Sequence, residues 1–269
     1  MTLEGAISKM AIVHKRIMSV AAHRGDCYNF HENTMTAFLE SVKEGVDMIE
    51  TDVHMSRDGV LVLIHDHTVD RTTDGKGLVS DYTLDELLKF NAGNKNQPEK
   101  IPLFEDFIAW ASRLDITINI EIKEYSTDGV VNNEKRCMEC VDKVIELVEK
   151  YGMTDRILIN SFDAYVLEYC YKKYGKKYML HGFYPYDILK HSTMNPDEYL
   201  YCACIFDTKN KALYDYLTEH GIEPWIGASV TSEGMLALAF EYGARLVTTN
   251  NPADTIAKIE RIGERNGRK

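Results

Sequence analysis

Short runs of apolar residues alternate with segments in which apolar residues recur every three or four positions, along the whole length of the chain. A short β-branched run predicts a buried strand, whereas the longer spacing predicts an amphipathic helix. Strands are expected at residues 17–22, 46–53, 60–64, 116–122, 157–159, 178–183, 201–206, 223–226 and 246–248. Helices are expected at residues 34–44, 84–90, 104–112, 131–149, 164–174, 212–220, 234–242 and from residue 252 onwards.

This repeated strand–helix order predicts the fold class. Over 269 residues it favours an α/β fold of the (β/α)8 TIM-barrel type over an open doubly wound sheet. No GxGxxG motif follows a predicted strand, which weakens the dinucleotide-binding alternative. Nine strand candidates exceed the eight places of a barrel, and we predict that residues 201–206 are the accessory one. The loosely patterned, polar segment 67–102 is predicted to be a small insertion after the third strand, within a single domain of residues 1–269.

The clearest chemical signal lies in the second predicted strand. Side chains alternate between the two faces of a strand, so Glu50, Asp52 and His54 share one face. Acidic residues are depleted in strands, and a buried carboxylate is costly unless a positive charge meets it. A solvent-facing polar face on an edge strand is the alternative interpretation. The predicted strand at residues 116–122 shows the same alternation of polar and β-branched residues. Its polar residues, which share one face, are Asn119, Glu121 and, just beyond it, Lys123.

Further polar residues stand where predicted strands end, which is where TIM barrels carry their active sites. His23 and Arg24 end the first strand, and His65 and Asp66 end the third. Three carboxylates without a nearby thiolate suit a hard divalent cation, Mg²⁺ or Ca²⁺, rather than zinc. Two histidines beside such an ion, with two basic residues, indicate chemistry on a phosphodiester. Positive charge neutralises the phosphate, while one imidazole takes a proton and the other supplies one. The pattern leaves open which histidine does which.

The remaining histidines have weaker signals. His54 either lies near the site or bonds solvent. His181 and the others outside the motifs are predicted to be surface or hydrogen-bonded structural side chains. Asp66 is expected to have a structural role.

Composition limits the classes of partner and the cellular location that we expect for the protein. A net charge of −11 argues against nucleic acid or an anionic membrane surface as a standing partner, so a small-molecule phosphodiester is the expected one. The six scattered cysteines, including the CxxC pair Cys137 and Cys140, predict reduced thiols. Polar residues interrupt every apolar run in segment 1–20, which predicts neither a signal peptide nor a membrane span, and hence a cytoplasmic location. No pattern supports a dimer.

The same residues form an ordered series of motifs that resembles the glycerophosphodiester phosphodiesterase family. The match runs from about residue 19 to residue 259 with the expected spacing. Its motifs are His23-Arg24-Gly25, Glu32-Asn33-Thr34, Glu50-Thr51-Asp52-Val53, His65-Asp66, Arg71-Thr72-Thr73 and Glu121-Ile122-Lys123, followed by the weaker Asn160-Ser161-Phe162-Asp163 and Val247-Thr248-Thr249-Asn250-Asn251-Pro252.

The resemblance implies a (β/α)8 barrel with an insertion after the third strand, and hydrolysis of glycerophosphodiesters to glycerol 3-phosphate and an alcohol. It implies that His23 and His65 are the acid/base pair and that Arg24 and Lys123 bind phosphate. It also implies that Mg²⁺ or Ca²⁺ is held by Glu50, Asp52 and Glu121.

The chain departs from the family pattern in four places. His31 replaces a proline, Asn250 replaces an aspartate, and residues 228–231 lack an asparagine. Gly227 stands where the family commonly has tryptophan. Trp225, two residues earlier on the same face, is expected to supply the ring from one rung deeper and to contact substrate.

Two other functions fit the same barrel. One is a lyase-type phospholipase, resembling the sphingomyelinase D relatives, in which an internal hydroxyl attacks and a cyclic phosphate leaves. The other is a binding barrel without catalysis, although such a protein would be free to lose residues that are all present here.

Overall fold

The computed structural model describes residues 11–126 and 133–267. Within these ranges nine strands alternate with eight α-helices. The strands are β1 (Ser19–His23), β2 (Met48–Met55), β3 (Leu61–Leu63), β4 (Thr117–Ile122), β5 (Ile157–Asn160), β6 (Met179–Tyr184), β7 (Cys202–Ile205), β8 (Glu223–Ile226) and β9 (Leu246–Thr249). The helices are α1 (Met35–Lys43), α2 (Leu84–Leu87), α3 (Phe104–Ala111), α4 (Glu134–Lys150), α5 (Ala164–Tyr174), α6 (Lys211–Glu219), α7 (Glu233–Glu241) and α8 (Pro252–Arg265).

Eight of these strands form a closed parallel barrel. Their order around the barrel is β1, β2, β4, β5, β6, β7, β8 and β9, and β1 pairs with both β2 and β9, which closes the sheet. This confirms the (β/α)8 TIM barrel. The carboxyl ends of the eight strands meet at one mouth, where such barrels carry their sites.

The strand outside the barrel is β3, and the prediction that residues 201–206 are accessory was wrong. β3 pairs antiparallel with β2, with Leu63 opposite Val53. The connecting residues 56–60 are too few for a parallel crossover, which needs about a dozen, and Gly59 makes their turn with a φ of 81°. The segment thought to be accessory contains β7, which is fully buried between β6 and β8.

Between β3 and α3 the chain leaves the barrel. Helix α2 begins there with a capping box between Thr83 and Glu86. The division of the chain into one domain with an insertion over residues 67–102 stays a prediction. A small separate cluster of buried apolar residues packs this segment against β3, and its members include Val62, Ile64, Val69, Val79, Leu87 and Ile101.

The inside of the barrel changes character between two layers. Near the amino ends of the strands, the interior is an apolar cluster of Ala21, Met48, Leu158, Met179, Cys202, Trp225 and Leu246. Two residues further along each strand the side chain points the same way. That next layer is largely polar, and it consists of His23, Glu50, Asn160, His181, Cys204, Gly227 and Thr248, all of which line one cleft at the mouth.

Several smaller predictions can be compared with this structure. All six cysteines are free thiols, as predicted. Helix α4 begins at Glu134 with Asn133 as its N-cap, and its predicted first residues, 131 and 132, lie outside the described ranges, as does segment 1–10. No helix in residues 11–126 or 133–267 has the length and apolar character needed to cross a membrane. The cytoplasmic location stays a prediction.

Candidate active site

Three carboxylates meet at the barrel mouth. Pairing of β2 with β4 places Asp52 opposite Glu121, and alternation places Glu50 on the same face as Asp52. All three side chains are buried, and one oxygen of each lies within 4.8 Å of the others. Glu50 Oε1 and Asp52 Oδ1 accept no hydrogen bond from the residues that the structure describes. Converging oxygens with unused lone pairs could hold a hard divalent cation.

Two cationic side chains lie against these carboxylates. Lys123 Nζ is 2.5 Å from Glu121 Oε1 and 3.2 Å from Asp52 Oδ1. Arg24 Nε is 3.1 Å from Asp52 Oδ2. Against the effect of burial, these two cations lower the pKa of the Asp52 carboxyl far below its usual range.

The other two carboxyl groups behave oppositely. Burial, reinforced by the charges of Asp52 and Glu121, raises the pKa of Glu50 well above its ordinary value. Burial also raises the pKa of Glu121. A divalent cation among the three oxygens would favour the ionised form of both groups.

His23 ends β1 and lies opposite Glu50 in the β1–β2 pairing. Its Nδ1 is 2.6 Å from Asn250 Oδ1, and its Nε2 is 3.9 Å from Glu50 Oε2. Because an amide oxygen only accepts, Nδ1 carries the proton and Nε2 presents its lone pair towards the carboxylates. Burial and the nearby charge of Arg24 lower the pKa of His23 and so favour the neutral imidazole.

His65 reaches the same mouth along β3. Since β3 runs back beside β2, the Ile64 backbone N–H donates to the Asp52 carbonyl at 3.1 Å, and His65 follows it into the mouth. Its Nδ1 is 2.6 Å from Asp66 Oδ1. Burial and the charge of Lys123 lower the pKa of His65. The structure therefore places His65 beside the carboxylates, but through an antiparallel strand rather than the carboxyl end of a barrel strand.

One open cleft of about 320 Å³ brings these groups together. Asp52 lies just beneath it and has no exposed surface. Seven of the eight predicted site residues thus meet at one place. Those lining the cleft itself are His23, Arg24, Glu50, His65, Glu121 and Lys123.

An ion-pair chain connects the two ends of the charged region. Arg71 Nε donates to Asp66 Oδ2 at 2.7 Å, and its terminal nitrogens donate to both oxygens of Glu32. Glu32 Oε1 also accepts from Arg24 Nη1 at 2.9 Å. The chain therefore runs from the partner of His65 to the arginine beside Asp52.

Asn33 holds Asp52 from the other side. Its Nδ2 donates to Asp52 Oδ2 at 2.8 Å, while its Oδ1 accepts from the Thr51 hydroxyl at 2.8 Å. Asn33 has a φ of 53°, a left-handed conformation that asparagine tolerates better than most residues. Sequence reasoning assigned no role to Glu32 or Asn33, although both stand in a recognised motif, which was the available signal.

Aromatic side chains form the opposite wall of the cleft. The rings of Phe162 and Phe183 stack with centroids 3.6 Å apart. Phe206 lies 5.8 Å from Phe183 and is half exposed at the rim. The three rings can bind carbon skeletons through contact area. At the edge of this wall nearest the carboxylates, Lys123 Nζ lies 5.9 Å from the centroid of Phe162.

Comparison with protein families matches residues 23–196 to the glycerophosphoryl diester phosphodiesterase family. The matched region is well over half of the chain. The chain belongs to this family.

Two relatives agree with the family assignment. A glycerophosphodiester phosphodiesterase of Caldanaerobacter subterraneus is 41% identical over 152 residues, which cover 55% of this chain and 59% of that protein. The chain thus spans about six tenths of the length of that relative. A glycerophosphodiester phosphodiesterase of Bacillus altitudinis is 36% identical over 190 residues, covering 67% of this chain and 70% of the relative.

Two solved structures share the fold at low sequence identity. The putative glycerophosphoryl diester phosphodiesterase of Silicibacter pomeroyi superimposes with a TM-score of 0.78 at 20% identity, over 93% of this chain and 95% of that one. A phosphodiesterase of Oleispira antarctica, solved in complex with the product sn-glycerol-3-phosphate, superimposes with a TM-score of 0.74 at 22% identity, over 90% and 96% of the two chains.

Trp225 does not reach the cleft of this glycerophosphoryl diester phosphodiesterase family member, and the geometry does not support its predicted contact with substrate. The indole is fully buried in the apolar layer beneath, where its Nε1–H donates to Glu223 Oε2 at 3.2 Å. His181 lies over it, with ring centroids 4.8 Å apart. Trp225 does face inward one rung deeper, but the layer above it separates the ring from the mouth.

His54 supports the site from outside the cleft. It is buried, its Nδ1 is 3.3 Å from Glu124 Oε1, and its Nε2 is 3.2 Å from the backbone carbonyl of His65. Arg136 Nε completes the cluster at 2.7 Å from Glu124 Oε2. His54 therefore holds the backbone of His65 in this family member rather than bonding solvent.

Proposed function

We propose that the protein hydrolyses glycerophosphodiesters to glycerol 3-phosphate and an alcohol, with Mg²⁺ or Ca²⁺ as cofactor. The observation that carries the proposal is the convergence of three buried carboxylates, two cations and two imidazoles in one cleft. Membership of the family and the names of its relatives support the same reaction.

Glu50, Asp52 and Glu121 would hold the divalent ion. Glu50 Oε1 and Asp52 Oδ1 have no hydrogen-bond donor among the described residues, and the pKa values of Glu50 and Glu121 are raised. Both observations fit this role, because Arg24 and Lys123 leave one of the three negative charges uncompensated. The ion would bring the site to a net charge of plus one, which suits a phosphodiester of charge minus one. When bound, it supplies Lewis-acid stabilisation of negative charge on the phosphate oxygens. Arg24 and Lys123 add hydrogen-bond donors for the same oxygens.

The two histidines differ in the partner of Nδ1, and this difference supports a division of roles. His23 has a neutral amide partner, so its Nε2 lone pair is suited to take a proton from the attacking water. His65 has a carboxylate partner, Asp66, whose hydrogen bond opposes the lowering of the His65 pKa by burial and Lys123. This partner favours the protonated imidazole more than the amide partner of His23 does, and so suits His65 to give a proton to the leaving alcohol. As the water oxygen bonds to phosphorus, His23 takes one of its protons and the oxygen keeps the other. The bond from phosphorus to the alcohol oxygen breaks, and His65 gives that oxygen a proton. Loss of a proton from His23 to solvent and gain of one by His65 from solvent restore the starting states.

Turnover of glycerophosphocholine and glycerophosphoglycerol, with and without chelator, tests the reaction. We expect ion-dependent release of glycerol 3-phosphate, detected by ³¹P NMR. A cyclic phosphate product would identify a lyase instead, and no turnover of either substrate would favour a binding barrel.

The His23→Ala variant should lose activity while unfolding at the same temperature as the original protein. His220→Ala is a matched control, since His220 lies on the surface at the end of α6, stacked on Tyr216. Full activity of His23→Ala would contradict the assigned role.

A further inference from the structure

A polar pair continues the row of carboxylates onto the uncharged side of the cleft. In the barrel register, Asp52 lies opposite Glu121, Glu121 opposite Asn160, and Asn160 opposite His181. Neighbouring strands are about 4.8 Å apart. Asn160 is therefore about one strand spacing from Glu121, and His181 is about two. One small molecule can reach across that distance.

Both side chains face the cleft. They stand two residues beyond Leu158 and Met179 of the interior apolar layer, and both line the cleft wall. Each is buried, yet Asn160 Oδ1 and His181 Nε2 have no hydrogen-bond partner among residues 11–126 and 133–267. Buried polar atoms are nearly always paired in folded proteins. Two unpaired atoms side by side in a cleft indicate that the partner comes from a ligand.

The chemistry of the pair defines that partner. His181 Nδ1 lies 3.0 Å from Asn119 Nδ2 and 3.4 Å from Asn119 Oδ1. The shorter contact makes Nδ1 the acceptor of an amide N–H, which leaves the ring hydrogen on Nε2. Burial lowers the pKa of His181 to about 3, so the ring is a neutral donor at working pH. An N–H donor therefore stands beside the Asn160 carbonyl acceptor. A hydroxyl group can satisfy both at once, because it donates one hydrogen bond and accepts another.

We propose that Asn160 and His181 together bind a hydroxyl group on the glycerol portion of the substrate and set the preference for glycerol over an alkyl group of equal length. This inference rests on the proposed function, since the phosphate must be held at the charged side. The stacked rings of Phe162 and Phe183 border the pair and cover the carbon skeleton.

Equilibrium binding of two phosphate monoesters tests the proposal. In the presence of Mg²⁺, isothermal titration calorimetry compares sn-glycerol 3-phosphate with n-propyl phosphate, which has the same chain without hydroxyls. We expect the unmodified protein to bind the glycerol ester about tenfold more tightly or better. Equal affinities would overturn this inference and leave the phosphate site intact, whereas binding of neither ester would overturn the proposed function as well.

Variants assign the preference to the pair. Asn160→Leu and His181→Phe should reduce the affinity ratio of the two esters to near one, while affinity for propyl phosphate is kept. His181→Gln, which retains an N–H donor, should restore part of the ratio, and the surface control His220→Phe should leave it unchanged. An unaltered ratio in both Asn160→Leu and His181→Phe would contradict the proposal. If one of these two variants does not fold, the other and His181→Gln decide the assignment, and an unaltered ratio in the variant that folds would contradict it.

Discussion

The two halves of the barrel mouth share one backbone pattern and carry opposite chemistry. On β1, β2 and β4, and just after them, the side chains at the mouth include three carboxylates and their cationic partners, and Asp52 and Glu121 each have a cationic nitrogen within 3.2 Å. On β5 to β8, the same layer holds an amide, a neutral imidazole and a glycine, bordered by phenyl rings. The difference suggests that the charged half acts on the phosphate and the uncharged half selects what is attached to it.

The largest effect is expected from Glu50→Gln on the charged half. The amide keeps the shape and can still accept from the Arg24 backbone N–H, which is 3.1 Å from Oε2, but it removes one ionic ligand. We expect kcat to fall about 10³-fold and calorimetric binding of Mg²⁺ or Ca²⁺ to weaken in parallel. Glu40→Gln, on the outside of α1, is the control. Unchanged ion affinity in Glu50→Gln would remove this residue from the ion site.

The cluster of Glu124, His54 and Arg136 supports the charged half from outside the cleft. Its ion pairs should make the free energy of unfolding depend on pH. Against the effect of burial, His54 and Arg136 lower the pKa of Glu124 to about 2. Because the unfolded value is about 4.3, this ionisation stabilises the fold fully above about pH 5, and the contribution is lost as the pH falls through 4 towards 2.

Glu124→Gln should therefore be about 3 kcal/mol less stable at pH 7. Denaturant unfolding at pH 7, 5 and 3 would measure the difference in free energy of unfolding from the original protein. That difference should shrink at pH 3, and a constant gap across the series would show that the charge of Glu124 does not stabilise the fold.

The His65→Gln variant tests the proposed division of roles between the two histidines. If His65 protonates the leaving alcohol, kcat should fall about 10²-fold for glycerophosphocholine. The loss should be much smaller for a glycerophosphodiester of nitrophenol, whose leaving group needs no proton. Equal losses of kcat on the two substrates would contradict the role of His65 as the proton donor to the leaving alcohol.

The smallest effect is expected on the uncharged half, from Phe183→Ala. Removing one of the stacked rings takes away contact area in both the ground and transition states, so KM should rise about tenfold with kcat nearly unchanged. Leu39→Ala, an exposed position on α1, serves as the control in the same steady-state assay. A fall in kcat with constant KM would place Phe183 in the catalytic half instead.

Local patterns predicted much of the charged half. Period two correctly grouped Glu50 with Asp52 and Glu121 with Lys123, because each pair lies on a single strand. The direction of β3 was missed because apolar content does not encode direction, and only the short connection before it does. Trp225 was correctly expected one rung deeper, but its separation from the cleft was not foreseen, because the access of a deeper layer to the mouth depends on the side chains that seven other strands place above it.

The uncharged half was harder to predict for a related reason. Asn160 and His181 are far apart in the chain and meet only through the β5–β6 register, which no local signal reveals. His181 was expected at the surface or in a satisfied structural bond, yet it is buried with one nitrogen unpaired. The partner of His23, Asn250, likewise comes from the end of the chain.

His65 is carried by a three-residue strand appended to the barrel, whereas His23 belongs to the barrel wall. One residue of the proposed acid/base pair thus lies on a strand of the closed barrel, and the other follows β3, which takes no part in closing the barrel. A change in the anchoring of that segment should alter turnover, and because Leu61 and Leu63 belong to the main apolar core it should alter folding as well. Exchanging this segment between relatives should therefore change the rate of turnover while the order of the eight barrel strands stays the same.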